Sequence, residues 1–292
     1  MYASVFRPGL FDDQIIMVTG GGSGIGRCVA HELAHLGAVV VLTGRKLEKL
    51  ERTAQEIRDD GGNATVSAFD IRDEDAVRAA VTAVLEEHHH IDGLVNNAGG
   101  QFPMPAEMIG KKGWESVLAT NLTGGFLVSR EVYGQFMKAN GGAIVNMLAN
   151  VWDGMPLMAH SGAARAGMMN LTQSLALEWA PRVRVNAVAP GYVSSSGLDT
   201  YDPVIAGSLV DASIAVTPMR RFAEEAEVSA AITYLLSPAG AYLTGICIRI
   251  DGGASLNPNA MNVGGGDAST AFHGFHRASE PEILRNHQPR GS

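Results

Sequence analysis

Between the apolar run Ile15 to Thr19 and a helix-period segment with apolar residues at Ile25, Val29, Leu33 and Leu36 stands the run TGGGSGIG, Thr19 to Gly26. A strand that feeds a helix through so glycine-rich a turn has few solutions. The backbone must reverse sharply, and the helix start is left with unpaired N–H groups. Gly20, Gly24 and Gly26 allow a bulky, doubly charged pyrophosphate to approach main chain closely, with Gly22, Ser23 and Ile25 completing the cradle. A purely structural turn is the alternative. The strand–turn–helix setting favours the dinucleotide.

Beyond this turn, apolar strand-like runs alternate with helix-period segments, the pattern of a parallel sheet covered on both faces. Strands are expected at Val39 to Leu42, Ala64 to Ala68, Gly93 to Val95, Ala143 to Met147, Val183 to Val188 and Ile246 to Ile250. Helices are expected between them, including long ones near Trp114 to Lys138 and Gly162 to Trp179. The fold class is therefore α/β: a doubly wound, seven-stranded parallel Rossmann-type sheet in one domain over residues 1–253. Residues 194–221 look irregular and too long for a simple connection, which suggests a small lid over the substrate. After Gly253 the periodicity disappears, and residues 254–292 read as a tail that is either disordered or packed on a neighbouring subunit.

Charge and cysteine content narrow the function classes. The net charge of −8 argues against nucleic acid as the main partner. No apolar stretch approaches the roughly 18–20 residues that cross a bilayer, so no membrane partner is expected. The first residues lack the regions of a secretory signal, and the end, Pro289-Arg290-Gly291-Ser292, is unlike a peroxisomal SKL address. A cytoplasmic protein is expected. Cys28 and Cys247 are too few for a disulfide scaffold or a zinc site. His88, His89 and His90 close an amphipathic segment, and three adjacent imidazoles cannot all face one ion, so no metal is expected.

Coenzyme choice is legible at the end of the second strand, Leu42-Thr43-Gly44-Arg45-Lys46. An acidic residue there would accept from a ribose 2′-hydroxyl and repel a 2′-phosphate. Here Gly44 leaves room, Arg45 offers a planar fork of donors, and Lys46 adds charge, so NADP(H) is favoured over NAD(H). A basic residue that merely opens a helix is the alternative.

The spacing TGxxxGxG, followed by Asn96-Asn97-Ala98-Gly99, Asn121 in ATNLTG, Pro190-Gly191 and Asp251-Gly252-Gly253, resembles the classical short-chain dehydrogenase/reductase superfamily over roughly residues 12–255. The resemblance implies that Asp70 accepts from the adenine amino group with Ile71 backbone beside it. It also implies that Asn97, Ala98 and Gly99 line the adenosine ribose. Beyond Pro190 and Gly191, Val193 and Ser195 would hold the nicotinamide carboxamide. A homo-oligomer, dimer or tetramer, is implied as well.

The catalytic set departs from that family's Asn, Ser and YxxxK pattern. Asn121 matches the Asn, but HSGAARAG places Ser161 at the Tyr position and Arg165 at the Lys position, and Leu148 or Ala149 stands for the Ser. A serine hydroxyl is far less acidic than a phenol, and Arg does not release its proton at working pH. Reduction of a polarised double bond is thus favoured over alcohol oxidation. The segments around Gln101 to Phe126 and Ala159 to Ala180 resemble the peroxisomal trans-2-enoyl-CoA reductase branch, although Met169 stands where that branch places a Tyr. The implied reaction is NADPH-dependent saturation of a 2-enoyl-CoA, an acyl-CoA thioester being the small-molecule partner.

The roles expected are these. Asn121 orders a helix and a water. Arg165 grips the coenzyme ribose and supplies positive potential. Ser161 bonds the thioester oxygen, and His160 or a water delivers the proton. Ser161 as a helix N-cap and His160 as a solvent-facing loop imidazole are the plainer alternatives. Lys111, Lys112, Arg220 and Arg221 either meet coenzyme A phosphates or simply face solvent. Two other functions stand beside the reductase: a terpenoid alcohol or aldehyde dehydrogenase of the citronellol type, and a catalytically weak nucleotide-binding scaffold.

Overall fold

A computed structural model of the chain describes residues 1–198, 203–257 and 267–285. Seven parallel strands lie in the order β3-β2-β1-β4-β5-β6-β9. They are β1 (Ile15–Thr19), β2 (Val39–Gly44), β3 (Asn63–Ala68), β4 (Gly93–Asn96), β5 (Gly142–Met147), β6 (Val183–Pro190) and β9 (Cys247–Ile250). The strand order therefore reverses between β1 and β4, the switch point beyond whose strands' carboxyl ends open α/β sheets bind their ligands. Helices α1 (Gly24–His35), α2 (Leu47–Asp59) and α9 (Glu225–Leu236) cover one face. Helices α3 (Glu74–His88), α5 (Gly124–Val132) and α7 (Ala159–Trp179) cover the other.

Strand alternation builds both cores at once. Ile16 and Val18 of β1 pack with Val29, Leu33 and Ile232 on one side, whereas Ile15 and Met17 pack with Val77, Val81 and Val128 on the other. The inner strands β2, β1, β4, β5 and β6 are buried on both faces, which explains why they read as largely apolar runs; the edge strands β3 and β9 are part-exposed.

The helix expected near Trp114 to Lys138 begins earlier and is interrupted. It runs as α4 (Lys111–Leu118), a π-type turn Ala119–Thr123, α5, a second π-type turn Tyr133–Met137, and α6 (Lys138–Asn140). The first π-type turn carries Asn121, and such turns recur where a helix must aim one side chain. Among the histidines of the tract, His88 meets the Thr65 hydroxyl at 3.1 Å and His90 meets Asp92 at 2.7 Å.

Two expectations need correction. The lid segment is not irregular throughout: it holds helix α8 (Pro203–Val216), and the short parallel pair β7 (Val193–Ser194) and β8 (Ala223–Glu224) brackets it. Helix α8 is rich in apolar residues, and its few polar ones (Ser208, Asp211, Ser213) are not gathered on one face, so no amphipathic period announces it. The described part of the tail, residues 267–285, packs on its own chain. Phe275 is buried against Tyr2 and His31, Arg277 forks onto Asp60 at 2.9 and 3.0 Å, and Arg221 donates to the Ser269 carbonyl at 2.9 Å. The remaining tail residues, 258–266 and 286–292, lie outside the described residues, so the expectation is open there. None of the described helices is long and apolar enough to cross a membrane.

Candidate active site

The glycine turn is held from behind by Thr19. Its Oγ1 donates to the Val95 carbonyl at 3.2 Å and accepts the N–H groups of Asn97 and Ala98, each at 3.0 Å. The Asn97 side-chain amide donates to the Thr19 carbonyl at 3.0 Å and to the Gly20 carbonyl at 3.4 Å. The Asn97 amide nitrogen thus shapes the turn. The Ser23 side chain makes no capping bond at the start of α1, so the first N–H groups of that helix stay available to an anion.

Around the expected adenosine end, Arg45 and Lys46 are exposed where β2 gives way to α2, Lys46 standing at the N-cap position. Asp70 differs from expectation. Arg72 binds both its oxygens, at 2.6 to 3.1 Å, and the Arg72 N–H adds a bond at 3.0 Å. This fork holds the Asp70 carboxyl below the usual range, and it occupies the acceptors that an adenine amino group would need. Ile71 is buried and packs against Gly124. At the other end, Gly191 sits so close to β9 that a Cβ there would stand 2.9 Å from the Asp251 Cα. Pro190 ends β6, Val193 is buried in β7, and Ser195 accepts the Leu198 N–H at 3.0 Å.

The catalytic candidates line one contact between α7 and residues 99–102. Arg165 lies over Gly99, where a Cβ would stand 2.5 Å from Nη2. Four residues earlier on α7, the Ser161 hydroxyl donates to Gln101 Oε1 at 2.6 Å. His160 meets the Phe102 ring edge-on, with centroids 4.5 Å apart. Asn121 closes the same loop, accepting the Gly100 N–H and donating to the Gly100 carbonyl, each at 2.9 Å. All four expected catalytic residues therefore converge, and Gln101 joins them without having been anticipated.

Their hydrogen bonds refine the roles. Ser161 is fully buried and is not an N-cap; Met158 holds that position. Its single proton goes to Gln101, which leaves the Oγ lone pairs as acceptors. His160 is fully buried rather than solvent-facing. Its Nδ1 accepts the Ser161 N–H at 2.9 Å, which places the ring proton on Nε2, a buried atom with no partner. A neutral imidazole held this way donates a hydrogen bond but has no second proton to give. Proton delivery by His160 would first require breaking that backbone bond, so a water is the better source.

Arg165 is 8% exposed and pairs with no carboxylate among the described residues. One nitrogen, Nη1, donates to the Met147 carbonyl at 2.5 Å, while Nε is buried without a partner. Burial brings its pKa down to about 10, which leaves the guanidinium charged at neutral pH. A buried cation lacking a counter-charge is costly unless a ligand completes it. Behind it runs a polar ladder the sequence did not reveal. Asn96 donates to the Ser129 hydroxyl at 2.7 Å and to Asn146 Oδ1 at 2.9 Å, and Asn146 donates to the Thr172 hydroxyl at 2.9 Å. Of the basic pairs, Arg221 is spent on Glu227 through two bonds of 2.7 Å, and Lys111 lies 3.6 Å from Glu115.

A sheet switch point with a glycine turn, an open helix start and a buried cation that meets no carboxylate among the described residues is a setting that suits a dinucleotide-dependent oxidoreductase. The chain belongs to the short-chain dehydrogenase family, whose model matches residues 14–203, and with that family it uses a nicotinamide dinucleotide. It is 35% identical over 260 residues, 87% of this chain and 86% of the relative, to the peroxisomal 2,4-dienoyl-CoA reductase of Danio rerio. It is 33% identical over 255 residues, 85% of this chain and 98% of the relative, to a probable 2,4-dienoyl-CoA reductase of Bacillus subtilis (strain 168). Among solved structures, a citronellol catabolism dehydrogenase of Pseudomonas aeruginosa PAO1 superposes with a TM-score of 0.79 at 56% identity. That likeness covers 87% of this chain and 100% of the other.

Proposed function

We propose that this protein is an NADPH-dependent reductase of a carbon–carbon double bond conjugated to an acyl-CoA carbonyl. The observation that carries the reading is Arg165, a charged, buried guanidinium with no carboxylate beside it among the described residues, on the helix turn where an alcohol dehydrogenase of this family would hold a lysine. When bound, the coenzyme supplies a hydride. Arg165 places positive potential where negative charge develops on a thioester oxygen, and it need not exchange a proton to do so. His160 Nε2–H is the second donor free to meet that oxygen. Ser161, oriented by Gln101, accepts from a water that carries a proton to the substrate α-carbon. Asn121 keeps residues 99–102 against α7. Arg45, exposed and unpaired among the described residues, is the group to bind a 2′-phosphate.

The 2,4-dienoyl-CoA reductases among its relatives support a thioester substrate. The 56% identity to a citronellol catabolism dehydrogenase favours a second reading, in which the same site handles an acyclic terpenoid alcohol or aldehyde. Absorbance at 340 nm separates the two. The first expects NADPH to be consumed with a medium-chain trans-2-enoyl-CoA or 2,4-dienoyl-CoA; reduction of NADP by citronellol, with no thioester turnover, would replace it with the second.

A further inference from the structure

Glu225 opens α9 and is 7% exposed, yet among the described residues its carboxyl has no hydrogen bond and no ion pair. It faces the glycine turn. Gly24, the first residue of α1, adopts φ +56°, and a Cβ there would stand 3.8 Å from both Glu225 Oε1 and Ser196 Oγ. A buried acid is thus aimed at the start of the very helix that offers its free N–H groups to a phosphate.

The charged and titratable groups around it are few. From α1, Arg27 lies near enough to favour the carboxylate, but its guanidinium is already bonded to Glu56 at 2.7 Å and to the Arg277 carbonyl at 3.3 Å. Cys28, also on α1, is buried and kept as a thiol. Glu224, beside it in the chain, adds repulsion. Burial first, then this repulsion, raises the Glu225 carboxyl to about 7, against the pull of Arg27. A phosphate brought to Gly24 would be a further anion against the same group, and a second anion in a buried site is relieved by taking up a proton.

We propose that Glu225 is a ligand of the coenzyme pyrophosphate, its protonated carboxyl donating a hydrogen bond to a phosphate oxygen at the Gly24 turn, so that coenzyme binding takes up one proton. The inference rests on the reading that a nicotinamide dinucleotide occupies this turn. No bond is made or broken apart from transfer of that proton from solvent to carboxylate. The residue carries no role in hydride transfer; it binds.

The test is calorimetric titration of NADPH into the full-length protein at pH 8, in buffers of different ionisation heat. Between pH 7.5 and 9 the 2′-phosphate holds its charge constant, so uptake then reports on the protein. The expected result is uptake approaching one proton per site, with the Kd rising up to about tenfold per pH unit. In E225Q, whose amide still donates, the uptake vanishes and the Kd at pH 9 is at least tenfold tighter than in the native protein. Native protein that binds NADPH without proton uptake overturns the proposal, and so does undiminished uptake in E225Q. The native titration stands alone if E225Q does not fold. Absence of any binding heat, by contrast, removes the dinucleotide reading itself.

Discussion

The Ser161 hydroxyl donates to Gln101 Oε1 at 2.6 Å, and this bond decides what the serine can do. A side chain standing where the family pattern places a phenol is fixed as an acceptor by a residue from a different segment. Among the described residues the site then holds two buried donors without partners, His160 Nε2 and Arg165 Nε, and one directed acceptor between them on α7. Such a set suits an oxygen that becomes negative better than an alcohol that must lose a proton.

Replacing Gln101 by Leu frees the Ser161 proton and lets the hydroxyl rotate. Steady-state kinetics should show kcat/KM for the thioester falling about tenfold, roughly one hydrogen bond's worth. The Kd for NADPH should stay the same. An equal loss in coenzyme binding would mean that Gln101 shapes the coenzyme site instead.

Arg165→Ala should lower kcat/KM by about a hundredfold or more, as loss of a preorganised donor does. Arg165→Lys should recover only part of it, because an ammonium cannot bond the Met147 carbonyl and a ligand in the same fork geometry. Near-native turnover in Arg165→Ala, with a native circular dichroism spectrum, would remove the guanidinium from the mechanism.

Thr19→Val tests the scaffold. It keeps the shape and leaves the Ala98 N–H without its acceptor, while the Asn97 N–H keeps the Val95 carbonyl at 3.0 Å. Chemical denaturation should report a loss of about 1–3 kcal/mol, the cost of one unsatisfied donor. A change below about 0.5 kcal/mol would show that the turn does not depend on Thr19.

The tail should release in mild acid. His31 is buried beneath Phe275 beside Glu56 and Asp60, and burial, reinforced by Arg27, lowers its pKa from 6.5 to about 4. A base depressed in the folded state contributes its stability above its unfolded value and loses it as pH falls from 6.5 to about 4. Asp60, held at about 2 by the Arg277 hydrogen bond, adds its own loss only below about 4. Thermal unfolding should therefore show Tm falling between pH 6.5 and 4, with a flatter profile in His31→Gln. Unchanged curves in the two proteins would exclude His31 as the sensitive group.

The fold was legible because its evidence is periodic and local. The inner strands, buried on both faces, announce themselves as apolar runs, and the glycine turn marks their switch point. The meeting of Asn121, His160, Ser161 and Arg165 was also foreseen, since helix spacing and motif order place them. Their partners were not, for partners depend on which loop crosses which helix. Gln101, Asn146 and Thr172 carry no spacing signal, and the motifs that hold Thr19 and Asn96 do not say which groups those side chains bond; only the tertiary path joins them. Arg72 shows the same limit, since a neighbour two residues away takes up the acceptors assigned to adenine. Helix α8 stayed hidden for lack of a polar face, and the tail because Phe275 and Arg277 find their sites on residues far away in the chain.

The account turns on coenzyme binding at the Gly20–Gly26 turn with Arg45 at its far end, so calorimetry of the native protein with NADPH and NADH tests it most directly. The predicted result is saturable binding of both, NADPH at least tenfold tighter, and a preference that disappears in Arg45→Ala. No binding of either coenzyme, or a firm preference for NADH, would contradict it.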